Sequence, residues 1–261
     1  MPTYRLVVEY DGTDFAGFQL QPQVRTVAFE LERALGQLFD QRVRISAAGR
    51  TDSGVHATGQ VISFETEREF PFERLAIALN SILPGDISVR AAEVTDRSFS
   101  ARFSALERTY VYVVLNSERP SALLRRYAYQ YRGDFDLDRL REAASSLLGE
   151  HDFRSFCGTL PENGSTVRRI MRIDARRQGD FVMLTFSAEG FLHRMVRALT
   201  GTLLEVAAGR REIDSVAEIL NARDRQKAGR TAPACGLYLA GVRYADFDSY
   251  CVPPICNAAL R

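Results

Sequence analysis

The chain has 261 residues, 46% of them hydrophobic, enough for one large domain or two smaller ones with a substantial core. No run approaches the ~18 consecutive apolar residues that span a bilayer. Met1-Pro2-Thr3-Tyr4-Arg5 leads straight into a strand-like pattern, so a cytoplasmic protein with no membrane segment is expected.

Residues 4–10 alternate as a strand and end in the turn Asp11-Gly12-Thr13. Thr26 is placed to cap a helix whose apolar positions Val27, Leu31, Ala34, Leu35 and Leu38 share one face. Residues 43–48 and 60–64 read as short strands, followed by a helix over about 71–82. Leu83-Pro84-Gly85-Asp86 then turns the chain into a strand over 87–94. A similar order follows: a strand over 109–115, a helix capped by Asp136 and reaching about 148, and a hairpin of 167–177 and 181–186 around Gln178-Gly179-Asp180. Helices over about 192–208 and 213–221 precede a closing strand over 237–244.

Two successive blocks of strand, helix, strand, strand, helix and strand predict an α/β (α+β) fold of two ferredoxin-like halves, residues 1–105 and 106–261. Their antiparallel sheets are expected to join into one extended sheet with a cleft between the halves. Residues 150–166 form the longest irregular stretch and a candidate for substrate-side mobility.

Net charge is only +1, which by itself names no partner. Lys227 is the sole lysine among 34 basic residues. Codon bias in a GC-rich genome accounts for this, but it leaves every phosphate contact to a planar guanidinium fork. Between Arg102 and Arg132 six arginines (102, 108, 119, 125, 126, 132) stand against Glu107 and Glu118, and residues 168–230 hold thirteen basic side chains against eight acidic ones. Such blocks are commonly solvated faces, and equally the material of a polyanion groove. Cys157, Cys235, Cys251 and Cys256 follow no paired spacing, and His56, His151 and His193 lie far apart, so neither a disulfide framework nor a metal site is expected.

Gly49-Arg50-Thr51-Asp52-Ser53-Gly54-Val55-His56 lies between two strand-like segments. Spacing alone favours a tight loop in which Asp52 makes a turn hydrogen bond and Arg50 is solvated. It lacks the Gly-Lys-Ser/Thr ending of a phosphate loop. Asp11 and Asp14 read as a strand-exit turn. His193 stands beside Arg194 and Arg197 in a helical stretch that resembles a phosphate-contacting edge more than a metal ligand. Tyr110, Tyr112 and Arg108 share one face of a strand, an arrangement suited to a core row or to a base-stacking surface.

Together these segments resemble the TruA-type tRNA pseudouridine synthases over almost the whole chain. Glu9-Tyr10-Asp11-Gly12 with Phe15, Gly17 and Gln19 is similar to that family's opening strand and loop, and the run from Ala48 through Asp52 to Val61 to its active-site motif. Asn80 with Leu83 to Ile87, Phe103-Ser104-Ala105 with Arg108, Tyr110 and Tyr112, Phe191 to Arg197, and Ala232 to Leu239 complete the likeness in order. Phe18 stands where many relatives carry tryptophan, Val27-Ala28-Phe29 replaces a usual Val-Gln-Gly, and the tail with Cys251 and Cys256 shows no family motif.

The resemblance implies conversion of uridine to pseudouridine at positions 38, 39 and 40 of the tRNA anticodon arm by a homodimer without cofactor or metal. It implies Asp52 as catalytic aspartate, Tyr110 as the ring that packs on the target base and accepts a proton, and Arg197 as the partner of the aspartate. Arg50 is implied as a basic residue for RNA binding and base extrusion; Arg108 and Tyr112, by their strand face, and His193 and Arg194, by their place at the phosphate-contacting edge, are further RNA-contacting candidates. An ionised Asp52 would either attack the nucleoside or remove a sugar proton to give a glycal. The rivals are a non-catalytic RNA-binding module of the same fold and a hydrolase pairing Asp52 with Asp11 or Asp14.

Overall fold

The computed structural model describes residues 1–133, 135–160 and 164–257. The fold is mixed α/β, with ten strands and six α-helices among the described residues. The described residues form two compact units, Met1–Arg108 with Tyr238–Val252, and Thr109–Leu237 with residues 253–257. The closing segment 238–252 thus packs with the first unit, a return that element order does not reveal.

The first unit runs β1 (Thr3–Tyr10), α1 (Val27–Phe39), β2 (Ser46–Ala47), β3 (His56–Glu65), α2 (Phe72–Asn80) and β4 (Ile87–Thr95). β1 is central, antiparallel to β3 with Leu6 opposite Ile62 and to β4 with Leu6 opposite Ala92. The short β2 lies antiparallel on β3. This is the ferredoxin-like arrangement. The Thr26 hydroxyl caps α1 by accepting from the Phe29 N–H at 3.3 Å. The helix buries Val27, Leu31, Ala34, Leu35 and Phe39, each large side chain contributing about 1.5–3 kcal/mol. Phe39, and not the expected Leu38, closes this face, its ring 6.0 Å from Tyr4 and 5.8 Å from Phe64.

The second unit carries β5 (Glu107–Asn116), β6 (Tyr129–Tyr131), α3 (Leu137–Ser145), β7 (Gly149–Asp152), β8 (Val167–Gln178), β9 (Phe181–Ala188), α4 (Met195–Ala207) and α5 (Ser215–Ala222). β10 (Leu237–Arg243) and α6 (Pro254–Asn257) follow. Its strand order is β5-β9-β8-β7. The Asp136 carboxylate caps α3, accepting from Asp138 and Arg139 N–H at 2.7 and 3.2 Å. Gly179 takes φ 57° in the β8–β9 turn.

Several expectations need correction. The sheets are not purely antiparallel: β10 runs parallel to β3, with Tyr238 opposite His56, and β6 runs parallel to β5. Parallel pairs require long connections: residues 66–236 separate β3 from β10, and residues 117–128 join β5 to β6. The strand expected over 43–48 shrinks to two residues. The stretch 150–166 is not irregular throughout. It opens with β7, whose Glu-His-Asp composition gives no apolar alternation, and continues in a 3-10 turn Arg154–Phe156 anchored by buried Phe153 and Phe156. Residues 161–163 of that stretch lie outside the described residues.

Candidate active site

In the first unit the loop between β2 and β3 presents Asp52. Its tip is a main-chain turn in which the Val55 N–H donates to the Asp52 carbonyl at 3.1 Å, with Gly54 at φ 77°. A positive φ at the third turn position is the signature of a type II turn, where glycine is favoured. Asp52 is half-buried, and Arg50 beside it is exposed. The turn expected from spacing is therefore present, closed through main-chain atoms.

Around that turn the loop is tied down from several sides. The Phe18 N–H donates to the Thr51 carbonyl at 3.0 Å, and the Ser53 hydroxyl to the Phe15 carbonyl at 3.1 Å. His56, buried at the start of β3, has Nδ1 3.1 Å from the Gly12 N–H and 3.2 Å from the Asp11 carboxylate, with its ring stacked on Tyr238 at 4.8 Å. Asp11 also accepts from the Thr13 N–H at 3.0 Å, the strand-exit turn expected of it. Beneath the loop Tyr10, Thr51 and Gln60 are buried and bonded to one another and to Gly49.

Arg108 does not extend into solvent. Its guanidinium donates to the carbonyls of Ala48 at 3.1 Å, Ala105 at 3.1 Å and Arg102 at 2.5 Å. That pattern holds the start of the Asp52 loop against residues 102–105.

In the second unit Tyr110 is buried on β5, its ring edge-on to Phe191 at 5.2 Å. Tyr112 is 0% exposed and donates its hydroxyl to the Pro233 carbonyl at 2.8 Å, which leaves no ring face for a nucleic-acid base. Burial, followed by the neighbouring Cys235, raises its pKa well above the phenolic norm. Arg197, in the first turn of α4, is half-buried. Its Nε donates to the Ala232 carbonyl at 2.8 Å, while the Ala232 N–H donates back to the Arg197 carbonyl at 3.0 Å. This reciprocal pair fixes the plane of the guanidinium.

His193 and Arg194 are exposed just ahead of α4, His193 Nδ1 lying 3.0 Å from the Thr159 hydroxyl. Arg194 adopts φ 59°, a left-handed backbone that costs a non-glycine residue free energy and recurs at functional sites. The first turn of α4 holds no acidic residue. Cations at this end oppose the helix macrodipole, a local conflict that a bound anion relieves.

The sequence marked Asp52 and Arg197 through the family resemblance but did not single out Gln60 and Tyr10, the buried residues under the Asp52 loop. Gln60 is the one amide side chain of β3, which offered a weak signal at most. The Tyr10 hydroxyl gave no local signal.

A family model described as tRNA pseudouridine synthase matches residues 6–104 and 143–245. A tRNA pseudouridine synthase A of Caulobacter vibrioides (strain NA1000 / CB15N) is 45% identical over 247 residues, covering 94% of this chain and 100% of the relative. Another, of Bacillus subtilis (strain 168), is 45% identical over 242 residues, covering 92% and 98%. One of Halalkalibacterium halodurans is 47% identical over 233 residues and 89% of each chain. Similarity of this extent, spread through both units, has a single reading: the chain belongs to the tRNA pseudouridine synthase family.

Proposed function

We propose that this enzyme isomerises uridine to pseudouridine at positions 38, 39 and 40 of the tRNA anticodon arm, acting in the cytoplasm as a homodimer. The observation that carries the reading is the 45% identity across the full length of a tRNA pseudouridine synthase A, in a chain that presents Asp52 on a tethered glycine turn.

The chemistry is atom-neutral. The N1–C1′ bond breaks, the uracil turns while held, a C5–C1′ bond forms, C5 loses its proton and N1 gains one. No electrons are transferred overall, so no redox cofactor is required. Asp52 serves as the anion that opens the reaction, by attack on the nucleoside or by removal of a sugar proton. Tyr110 keeps the detached uracil in place and accepts the C5 proton directly or through water. Arg197 is assigned as the cationic partner of the aspartate in the reaction. Extruding the base costs a few kcal/mol in flipping enzymes generally, offset here by phosphate contacts from the exposed Arg50, His193 and Arg194. Arg108 and Tyr112, candidates for RNA contact by strand parity, are assigned to holding the structure instead.

The test uses tRNA carrying tritium at uridine C5, with uridine retained at only one of positions 38, 39 and 40. Each substrate releases tritium, with or without chelator, and a tRNA lacking all three uridines releases none. Release from that last substrate overturns the positional assignment. Tyr110→Phe is expected to lower turnover by on the order of 10²-fold while leaving the Kd for tRNA within about twofold, as binding rests chiefly on phosphate contacts. Equal losses in both would make the ring structural.

A further inference from the structure

The hydrogen bonds under the Asp52 loop form a buried network. Gln60 is 0% exposed in β3 and holds Gly49 at both main-chain atoms: its Oε1 accepts from the Gly49 N–H at 3.3 Å, and its Nε2 donates to the Gly49 carbonyl at 2.7 Å. The amide group thereby pairs Gly49 as a neighbouring strand would. Nε2 also lies 3.4 Å from the Tyr10 hydroxyl oxygen, which is 2.8 Å from the Thr51 hydroxyl. The Tyr10 hydroxyl thus links the Gln60 amide to the Thr51 hydroxyl. Burial, the larger influence, pushes the Tyr10 pKa up to about 12, so the phenol stays protonated across the neutral range. Gly49 and Thr51 flank Arg50, and Thr51 immediately precedes Asp52.

We propose that Gln60 and Tyr10 are positioning residues for the reaction, setting the main-chain path of Arg50-Thr51-Asp52 through Gly49 and Thr51. The inference rests on the assignment of Asp52 as catalytic carboxylate. The physical basis is that a reacting group displaced by about 1 Å costs on the order of 10²-fold in rate, whereas phosphate contacts spread over a large surface are little affected. A buried amide is well suited to the task. Each of its polar atoms is satisfied only when the loop is in place, and an unsatisfied buried group is costly.

The experiment compares Gln60→Glu, Tyr10→Phe and Leu75→Ala with the parent enzyme. Gln60→Glu keeps the shape but replaces the Nε2 donor with an acceptor. Tyr10→Phe removes only the hydroxyl. Leu75→Ala opens a cavity at a wholly buried position on α2, away from the loop, and controls for lost stability. Tritium release is measured at saturating tRNA, Kd by filter binding at fixed salt, and the folded fraction by thermal denaturation. Both loop variants are expected to lose roughly 10- to 100-fold in kcat with Kd within about threefold, and Leu75→Ala to retain its kcat after correction for folded fraction. If the loop variants match Leu75→Ala in kcat, or if their losses lie in Kd, the positioning role is overturned. Asp52→Asn is run in parallel to separate the two readings. If it stays active, the catalytic assignment itself falls; if it is inactive while Gln60→Glu and Tyr10→Phe are not, only the positioning role does.

Discussion

Asp52→Asn is expected to abolish tritium release, lowering kcat by at least about 10³-fold, near the upper range for loss of a single acid–base or nucleophilic group. The substitution is nearly isosteric. The turn that carries Asp52 closes through its carbonyl and the Val55 N–H, with Gly54 supplying the positive φ, and none of these atoms changes. The fold of the loop is therefore expected to persist, with the tRNA Kd within about threefold. Asp52→Ala, which cannot revert by deamidation, should behave alike. A variant within tenfold of the parent would show that another group opens the reaction. A variant that lost activity only by failing to bind tRNA would return Asp52 to the turn role that spacing first favoured.

Gly201→Ala is expected to destabilise the protein by about 2–3 kcal/mol, although helix propensity alone predicts the opposite. Gly201 sits within α4, where alanine is worth about 1 kcal/mol more than glycine. A methyl group there would lie 1.7 Å from the Arg230 carbonyl oxygen and 3.4 Å from the Ala232 nitrogen. The segment 229–232 crosses the helix at that point. The Gly229 N–H donates to the Thr202 hydroxyl at 2.9 Å, the Arg230 N–H to Glu205 at 3.3 Å, and Ala232 makes its reciprocal pair with Arg197. Main chain so bound yields only by losing hydrogen bonds, so the steric cost exceeds the propensity gain, as in overpacked cores. For a chain of this size the loss corresponds to roughly 4–12 °C in Tm. Because Ala232 holds the Arg197 Nε, activity at full folding should fall as well. An unchanged or raised Tm would mean that the segment is free to move aside.

Much of the architecture was legible in local pattern. Thr26 and Asp136 were readable as caps because capping depends on one side chain and the two or three residues after it, and both make those bonds. The hairpin at Gly179 was readable because alternation stops at a residue suited to positive φ. β7 was not, since Glu150-His151-Asp152 carries no apolar alternation. Phe39 displaced Leu38 from the core because Tyr4 and Phe64, far away in sequence, form the surface on which that face lands.

The same division runs through the site. Asp52 and its glycine turn were determined by sequence, because a type II turn needs only four consecutive residues and a glycine in third place. Local sequence likewise set the cations at the start of α4. Tertiary structure decided which of the marked residues are exposed and which serve as supports. Strand parity placed Arg108 and Tyr112 with Tyr110, but parity does not say what covers a face. Three carbonyls take up the Arg108 guanidinium, and Tyr112 is sealed against Pro233. Gln60 and Tyr10 gain their place under Asp52 only when β1 and β3 pair. The reason is physical: a hydrogen bond between residues 41 or 50 positions apart is a property of strand register, and register is fixed by burial across the whole sheet.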